Sequence, residues 1–398
     1  MRAAIGRPAA PLLAVVCAAL AAVQAYLLTL LAAAATDNRH APRQGVARGF
    51  VILIPAHDEA AVIADTLAAI RELDGEYESI VVADACRDAT ASIAADAGAT
   101  VWERDDPARP GKGAALEWAF DRVARERLDA RAVVVIDADC RPSGNLLGAV
   151  AARMDAGAEA VQVAYLAANP GESDAAALRW AGFALMNVVR PRGKSALGLS
   201  CGLLGTGMAF RAELLRRVPW RSRGLTEDLE EHVRLAEAGV RVQFAHEASV
   251  TSPMPASRAG ARVQQSRWEG GRWHLATHEG QRALAAGVRR RDAVLAHAGA
   301  ELLIPPQSLL TAAAVGSASA AAALGRRRLA LGLISVLAGQ AAFVLGGLAL
   351  VGAPAEVYRA LAHAPALLLD KLGVYARVVR GRGPETWERT PRGERAVA

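Results

Sequence analysis

Asp137-Ala-Asp139 stands directly behind the apolar run Ala132-Val-Val-Val-Ile136. Two carboxylates at i and i+2, held at a strand's end, can give oxygen ligands to a hard divalent cation. Such a cation would neutralise a diphosphate and stabilise it as a leaving group. On its own the pair reads equally as a solvated acidic turn. Asp84 closes a second apolar run, Ser79-Ile-Val-Val-Ala83, and can accept a hydrogen bond from a nucleobase N–H. Asp88, just ahead of Thr90, reads instead as a helix N-cap. Arg109-Pro-Gly-Lys-Gly113 is a glycine-rich turn opening a helix. Its backbone N–H groups and Lys112 can meet phosphate; otherwise Lys112 is an ordinary loop lysine. The turn lacks the first glycine and the Ser/Thr of a P-loop.

Leu225-Thr-Glu-Asp-Leu229 opens a helix expected to run to about Ala238 and stop at Gly239. Thr226 is spaced to cap it, with Glu227 and Asp228 in the first turn. Acidic residues there suit the helix dipole. They also offer a general base for an acceptor hydroxyl. The field of the helix N-terminus is expected to lower the Asp228 pKa and keep it ionised. Gln264-Gln-Ser-Arg-Trp268 falls in a helical stretch leading to Trp273. Arg267 can fork onto phosphate oxygens and Trp268 can stack on a sugar face. The other reading is an Arg/Trp pair at a membrane interface.

These residues need a scaffold that brings them together. Phe50-Val-Ile-Leu-Ile-Pro55 reads as a buried strand and Ala60 to Leu73 as a helix. Strands at 79–83, 100–102 and 132–136 alternate with helices at 90–97 and 114–127. This rhythm predicts an α/β fold, a mostly parallel sheet with helices on both faces. Ligands bind such sheets at the carboxyl ends of the strands, where Asp84, Asp137 and Asp139 stand.

The flanks differ in composition. Hydrophobic residues make up 53% of the 398-residue chain, and the excess gathers at its two ends. Ala9 to Ala35, Leu302 to Leu324 and Leu329 to Val351 are each long enough to span a bilayer. A signal peptide is the rival reading of the first, although its apolar part exceeds an ordinary h-region. The expected division is a membrane helix over 1–37, a catalytic domain over 38–298 and a membrane region over 299–398. The last part, Leu367 to Arg382, reads as a basic helix lying on the membrane surface. The formal charge of +6 comes almost wholly from arginine. No basic run with interleaved aromatics points to nucleic acid; a basic membrane protein facing anionic lipid explains the charge. Cys17, Cys86, Cys140 and Cys201 have no zinc or redox spacing. The last three read as small buried residues.

In order along the chain these segments resemble glycosyltransferase family 2, in particular its membrane-bound branch of cellulose-synthase-like and hyaluronan-synthase-like enzymes. The matching segments are Ile54-Pro-Ala-His-Asp-Glu59, Asp84, Gly111-Lys-Gly113, Asp137-Ala-Asp139, Gly205-Thr-Gly-Met-Ala-Phe210, Thr226-Glu-Asp228 and Gln264-x-x-Arg-Trp268. The resemblance implies a GT-A fold and inverting transfer of a sugar from a nucleotide-sugar donor, usually a UDP-sugar, with Mg2+ or Mn2+. It implies that Pro55, Ala56, Glu59, Asp84, Lys112 and Asp137 hold the nucleotide sugar. Asp139, with Asp137, would hold the metal. Asp228 would be the base, beside Glu227, and Gln264, Arg267 and Trp268 would hold the diphosphate and the acceptor. The chain departs from the pattern at Asp58, where the family commonly has Asn.

The resemblance further implies a multi-pass protein of the inner membrane, in polysaccharide or envelope biosynthesis, with a lipid or glycan acceptor and a cytoplasmic catalytic domain. Two spans after that domain would put Arg326–Arg328 outside, against the positive-inside tendency. Either the 302–324 segment is re-entrant or interfacial, or the tendency is broken here. A nucleotidyltransferase and a non-catalytic membrane subunit on a decayed transferase are the alternatives.

Overall fold

The computed structural model describes residues 2–37, 45–253 and 258–365, together with 373 and 375. Helix α1 (Arg2–Thr36) leads into an eight-stranded mixed sheet. Four strands run parallel in the order β3-β2-β1-β4: β1 (Phe50–Ala56), β2 (Tyr77–Asp84), β3 (Thr100–Arg104) and β4 (Ala132–Val135). The sequence of β1 explains why both faces are covered. Phe50, Ile52 and Ile54 pack on one face, Val51 and Leu53 on the other. A strand apolar on both sides needs helices on both. α2 (Ile63–Ile70) and α3 (Thr90–Asp96) cover the first face, and α4 (Lys112–Glu126) the second. α5 (Leu146–Asp155) joins the first.

The other half of the sheet was less legible. β7 (Met208–Arg211) runs antiparallel to β4, and β6 (Ala160–Ala167) antiparallel to β7. β8 (Val242–Ser252) runs parallel to β6, and β5 (Arg141–Pro142) closes the edge antiparallel to β8. β1 and β4 are neighbours whose chains lead away in opposite directions. Their carboxyl ends therefore frame the crevice where such sheets bind ligands.

Three layers of helix follow. α6 (Asp174–Ala184), a π-helical turn (Leu185–Val189) and α7 (Arg190–Ala196) run on from one another. α8 (Ala212–Arg217) and α9 (Glu227–Glu237) flank the sheet. α10 (Arg258–Leu275), α11 (Gln281–Arg290) and α12 (Ala293–Leu303) pack beside α9. Leu295, Ala298 and Leu302 of α12 bury against Val233 and Ala236 of α9. The domain boundary expected at 298/299 thus falls inside α12, a helix bound to the sheet domain.

α13 (Gln307–Ala323) and α14 (Arg327–Leu350) form an antiparallel pair. Pro305 and Pro306 hold α13 to a later start than the expected 302. By length and composition, Pro11–Thr36 of α1 and α14 are long and apolar enough to cross a membrane. α13, at 17 residues, is shorter than the roughly 20 that span a bilayer. The tail expected as a surface helix, 367–382, lies outside the described residues apart from 373 and 375, as do residues 38–44. Cys140 and Cys201 are buried as expected, whereas Cys86 is half-buried.

The C-terminal half of α1 is seated in the fold. Leu27 packs on Leu185, Val189 and Phe343. The Tyr26 hydroxyl donates to Glu301 at 2.7 Å and meets His297 at 2.9 Å. Glu301 also pairs with Arg190, and with Lys194 at 3.6 Å. Gly193 of α7 lies so close to α1 that a Cβ there would sit 2.2 Å from the Leu30 carbonyl oxygen. Gly193→Ala is expected to lift α1 and cost about 1–3 kcal/mol, as overpacking does. A lowered Tm of the detergent-purified protein would register it; an unchanged Tm would mean that the helices part without cost.

Candidate active site

The crevice gathers its acidic residues from three separate segments. β4 delivers Asp137 and Asp139, with Cys140 behind them. One oxygen from each carboxylate and the Cys140 sulfur lie within 4.8 Å of one another. The loop before β7 locks this turn: Thr206 Oγ1 accepts from the Asp137 N–H at 3.1 Å, and the Gly207 N–H donates to the Val135 carbonyl at 2.8 Å. Buried Gln162 of β6 holds that loop, donating to the Thr206 carbonyl at 2.8 Å and accepting from the Leu204 N–H at 3.0 Å.

Lys112, first residue of α4, reaches into the centre. Its ammonium lies 2.6 Å from Asp137 and 3.5 Å from Glu227 and donates to the Gly205 carbonyl at 2.8 Å. Asp228 approaches the same loop: a Cβ built on Gly205 would lie 3.6 Å from Asp228 Oδ2 and 3.7 Å from Lys112 Nζ. Asp137, Glu227 and Asp228 therefore share one cation, with Asp139 beside Asp137.

Four carboxylates against one ammonium leave an excess of negative charge, and the pKa shifts reflect it. Burial and then Asp137 push Asp139 up to about 6. Burial and then Glu227 push Asp228 up to about 7, against Lys112 and backbone N–H groups that pull it down. This corrects the expectation that the helix N-terminus would lower Asp228: a dipole is worth about 1 kcal/mol, and desolvation outweighs it. Burial opposes the Lys112 charge, but Asp137, Glu227 and Asp228 hold its pKa above the ordinary lysine value. A divalent cation beside Asp137 and Asp139 would offset the surplus, and hard carboxylate oxygens suit Mg2+ or Mn2+. Burial raises the pKa of the Cys140 thiol, and a soft sulfur suits Mg2+ or Mn2+ less well than the two carboxylates do.

The expected cap is absent. Thr226 accepts nothing from the first turn of α9. It faces α10 instead, where a Cβ on Gly271 would fall 2.8 Å from its hydroxyl. α10 thus crosses the start of the acid-bearing helix and brings the Gln264–Trp268 segment alongside. Trp268 packs at 5.6 Å on Phe183. The Arg267 side chain lies outside the described residues.

Pro55 and Ala56 end β1 beside the crevice, and the 57–59 loop is tied to the end of β2. His57 Nδ1 meets the Asp84 carbonyl at 2.6 Å, and the Glu59 N–H donates to Thr90 Oγ1 at 2.7 Å. Asp58 takes a left-handed backbone conformation, φ 53°, and accepts from the N–H groups of Arg87 and Asp88. Asn and Asp are the side chains that tolerate that conformation, so Asp58 serves where Asn is the common residue. Asp88 accepts from the Thr90 N–H at 2.9 Å in an Asx-type turn, but the N-cap of α3 is Ala89, one residue later than the sequence reading placed it. Asp84 is buried and paired with Arg104. Burial raises its pKa and Arg104 works against that rise.

The sequence matches the family model described as Glycosyltransferase like family 2 over residues 47–271, more than half of the chain. The chain belongs to glycosyltransferase family 2. This transferase is similar in fold to the mannosyltransferase PcManGT from Pyrobaculum calidifontis, solved with GDP-Man and Mn2+. The two share 21% identity, and the superposition covers 85% of this chain and 98% of that chain at a TM-score of 0.56. A looser match, TM-score 0.37 at 22% identity, joins 60% of this chain to 81% of glucosyl-3-phosphoglycerate synthase from Mycobacterium tuberculosis, solved with Mn2+, UDP and glucosyl-3-phosphoglycerate. No curated protein matches the chain.

Several residues of the transferase's crevice went unread. Arg104 belongs to no motif; it reaches Asp84 because the two are register partners in the parallel β2–β3 pair. Gln162 and Tyr165 stand on β6, whose run Ala160-Val-Gln-Val-Ala-Tyr165 carried a strand signal that could have located them. Phe183 lies in a helix with no local mark of function.

Proposed function

We propose that the chain is a membrane-bound inverting glycosyltransferase that moves a hexosyl group from a nucleotide sugar, a UDP-sugar in the first instance, to a hydroxyl on a lipid or glycan. The observation that supports this best is the convergence of Asp137, Asp139, Glu227 and Asp228 around Lys112 in a family 2 fold.

In this reading Asp84, set by Arg104, accepts from the base N–H, and the segment Pro55–Glu59 lines the nucleoside. Lys112 steadies the diphosphate. Gln264, Arg267 and Trp268 hold the diphosphate and the acceptor end. Asp228 takes the hydroxyl proton as the oxygen attacks the anomeric carbon from the side opposite the nucleotide, which inverts that carbon. Asp137 and Asp139 would hold Mg2+ or Mn2+, which when bound offsets the charge of the departing diphosphate.

Membrane attachment rests on α1 and α14, with 1–37 and the residues after α12 as the membrane parts and the sheet domain on the cytoplasmic, nucleotide-sugar side of the inner membrane. This is the arrangement of the cellulose-synthase-like branch. The α13–α14 turn with Arg326–Arg328 then faces away from the catalytic domain, contrary to the positive-inside tendency.

The primary test is a screen of nucleotide sugars for metal-dependent release of nucleoside diphosphate by the detergent-purified protein. Release of sugar 1-phosphate instead, or of pyrophosphate from an added nucleoside triphosphate, would mark a nucleotidyltransferase, and no release from any donor would leave a non-catalytic subunit. A pH profile tests the base. Asp228 works only when ionised, and its raised pKa puts that ionisation near pH 7. Because kcat/KM reports the free enzyme, it should rise through about pH 7 and fall about tenfold per unit below it. A flat profile from pH 5 to 8 would remove Asp228 from the role.

A further inference from the structure

Tyr165, Phe183 and Trp268 form a continuous row of rings. Tyr165 lies 5.1 Å from Phe183 at an interplanar angle of 75°, and Phe183 lies 5.6 Å from Trp268 at 38°. All three are half-buried. At one end, Tyr165 packs against the buried cluster that includes Ala138 and Cys140, at the turn that carries Asp137 and Asp139. At its middle, Phe183, with Leu166 in the same cluster, packs against Trp180 and Leu348, beside Val344 and Val351. Val344 and Leu348 belong to α14, a 24-residue helix long and apolar enough to cross a membrane. One row therefore joins the acidic crevice to the end of a membrane-type helix.

The chemistry of the row decides what it can hold. A glycan subsite needs donors and acceptors for several hydroxyls. Phe183 has none, the Tyr165 hydroxyl is engaged with Ser252 at 2.8 Å, and Trp268 has one N–H. Met186, one helical turn beyond Phe183, is 38% exposed and extends the apolar character. Rings and a thioether are good partners for hydrocarbon.

We propose that the acceptor is an amphiphile, its hydroxyl at Asp228 and its hydrocarbon chain lying along Tyr165, Phe183 and Trp268 toward α14. This rests on the transferase reading. The acceptor oxygen forms its bond to the anomeric carbon while the bond from that carbon to the diphosphate oxygen breaks. The nucleoside diphosphate leaves with the electron pair, and the hydroxyl proton passes to Asp228.

The test uses the full-length protein in detergent-free nanodiscs with its best donor and three probes: methyl, octyl and dodecyl β-D-glucoside. Each buried methylene is worth roughly fourfold in affinity. The dodecyl probe should therefore exceed the methyl probe in kcat/KM by about tenfold or more, mainly through KM. Phe183→Ala should bring that ratio to within about threefold, and Phe183→Leu, which keeps an apolar side chain, should retain most of it. Equal efficiency of the three probes in the wild type, or a ratio untouched by Phe183→Ala, would overturn the proposal. So would donor hydrolysis that no probe stimulates. If no donor releases nucleoside diphosphate under any condition, the transferase reading itself fails, a result distinct from the others.

Discussion

Asp228→Asn should cut turnover by about 10²–10⁴-fold, the range general-base catalysis contributes, and leave donor affinity within a few fold. The substitution keeps the shape of the side chain and removes only its capacity to accept a proton. Glu227 is a poor substitute, because its carboxylate already faces the Lys112 ammonium at 3.5 Å. Asp228 and that ammonium both approach Gly205, without the direct pairing that Glu227 makes. Isothermal titration of the nucleoside diphosphate alongside single-turnover transfer separates binding from chemistry. Turnover unchanged in the variant would mean that the proton goes elsewhere. Donor affinity falling in step with turnover would make Asp228 a binding group.

Asp139→Asn is expected to abolish metal-dependent release and weaken Mn2+ binding by on the order of 10²-fold or more, since loss even of outer partners at metal sites costs 10–100-fold. The same variant should raise the Tm of the metal-free protein. The sign follows from linkage. The folded-state pKa of Asp139 is raised to about 6, so above that pH its ionised form costs stability that the unfolded chain does not pay. Removing the charge removes the cost. Lost activity with gained stability is the signature of a carboxylate held for a cation. A fall in both would make Asp139 a structural residue, and chelation with no effect on the wild type would remove the metal.

Much of the catalytic half was legible because its signals are local. The β1 strand is an uninterrupted apolar run, Asp84 and Asp137 terminate strands, and Gly239 ends the helix that carries Asp228. What escaped depends on pairing between distant segments. The run at 160–167 marks a strand, but nothing in it says that its neighbours are β7 and β8. Asp84 with Arg104, and Gln162 with the 204–207 loop, exist only once register and topology are fixed. Thr226 had the spacing of a cap, but the approach of α10 turned it away. The error over Asp228 was one of magnitude: the helix field was recognised, but the burial that outweighs it depends on how α9, α10 and the Gly205 loop close together. The boundary expected near 298 falls within α12, whose apolar residues have their partner in α9.

The seating of α1 has a practical side. Tyr26 completes a charged cluster shared with α7 and α12, and Gly193 is hollowed to the shape of the Leu30 backbone. A protease or a cloning strategy that removes the first 37 residues would do more than shorten the chain. It would strip one side from the catalytic body and leave the Glu301 carboxylate and the Val189 surface open to water.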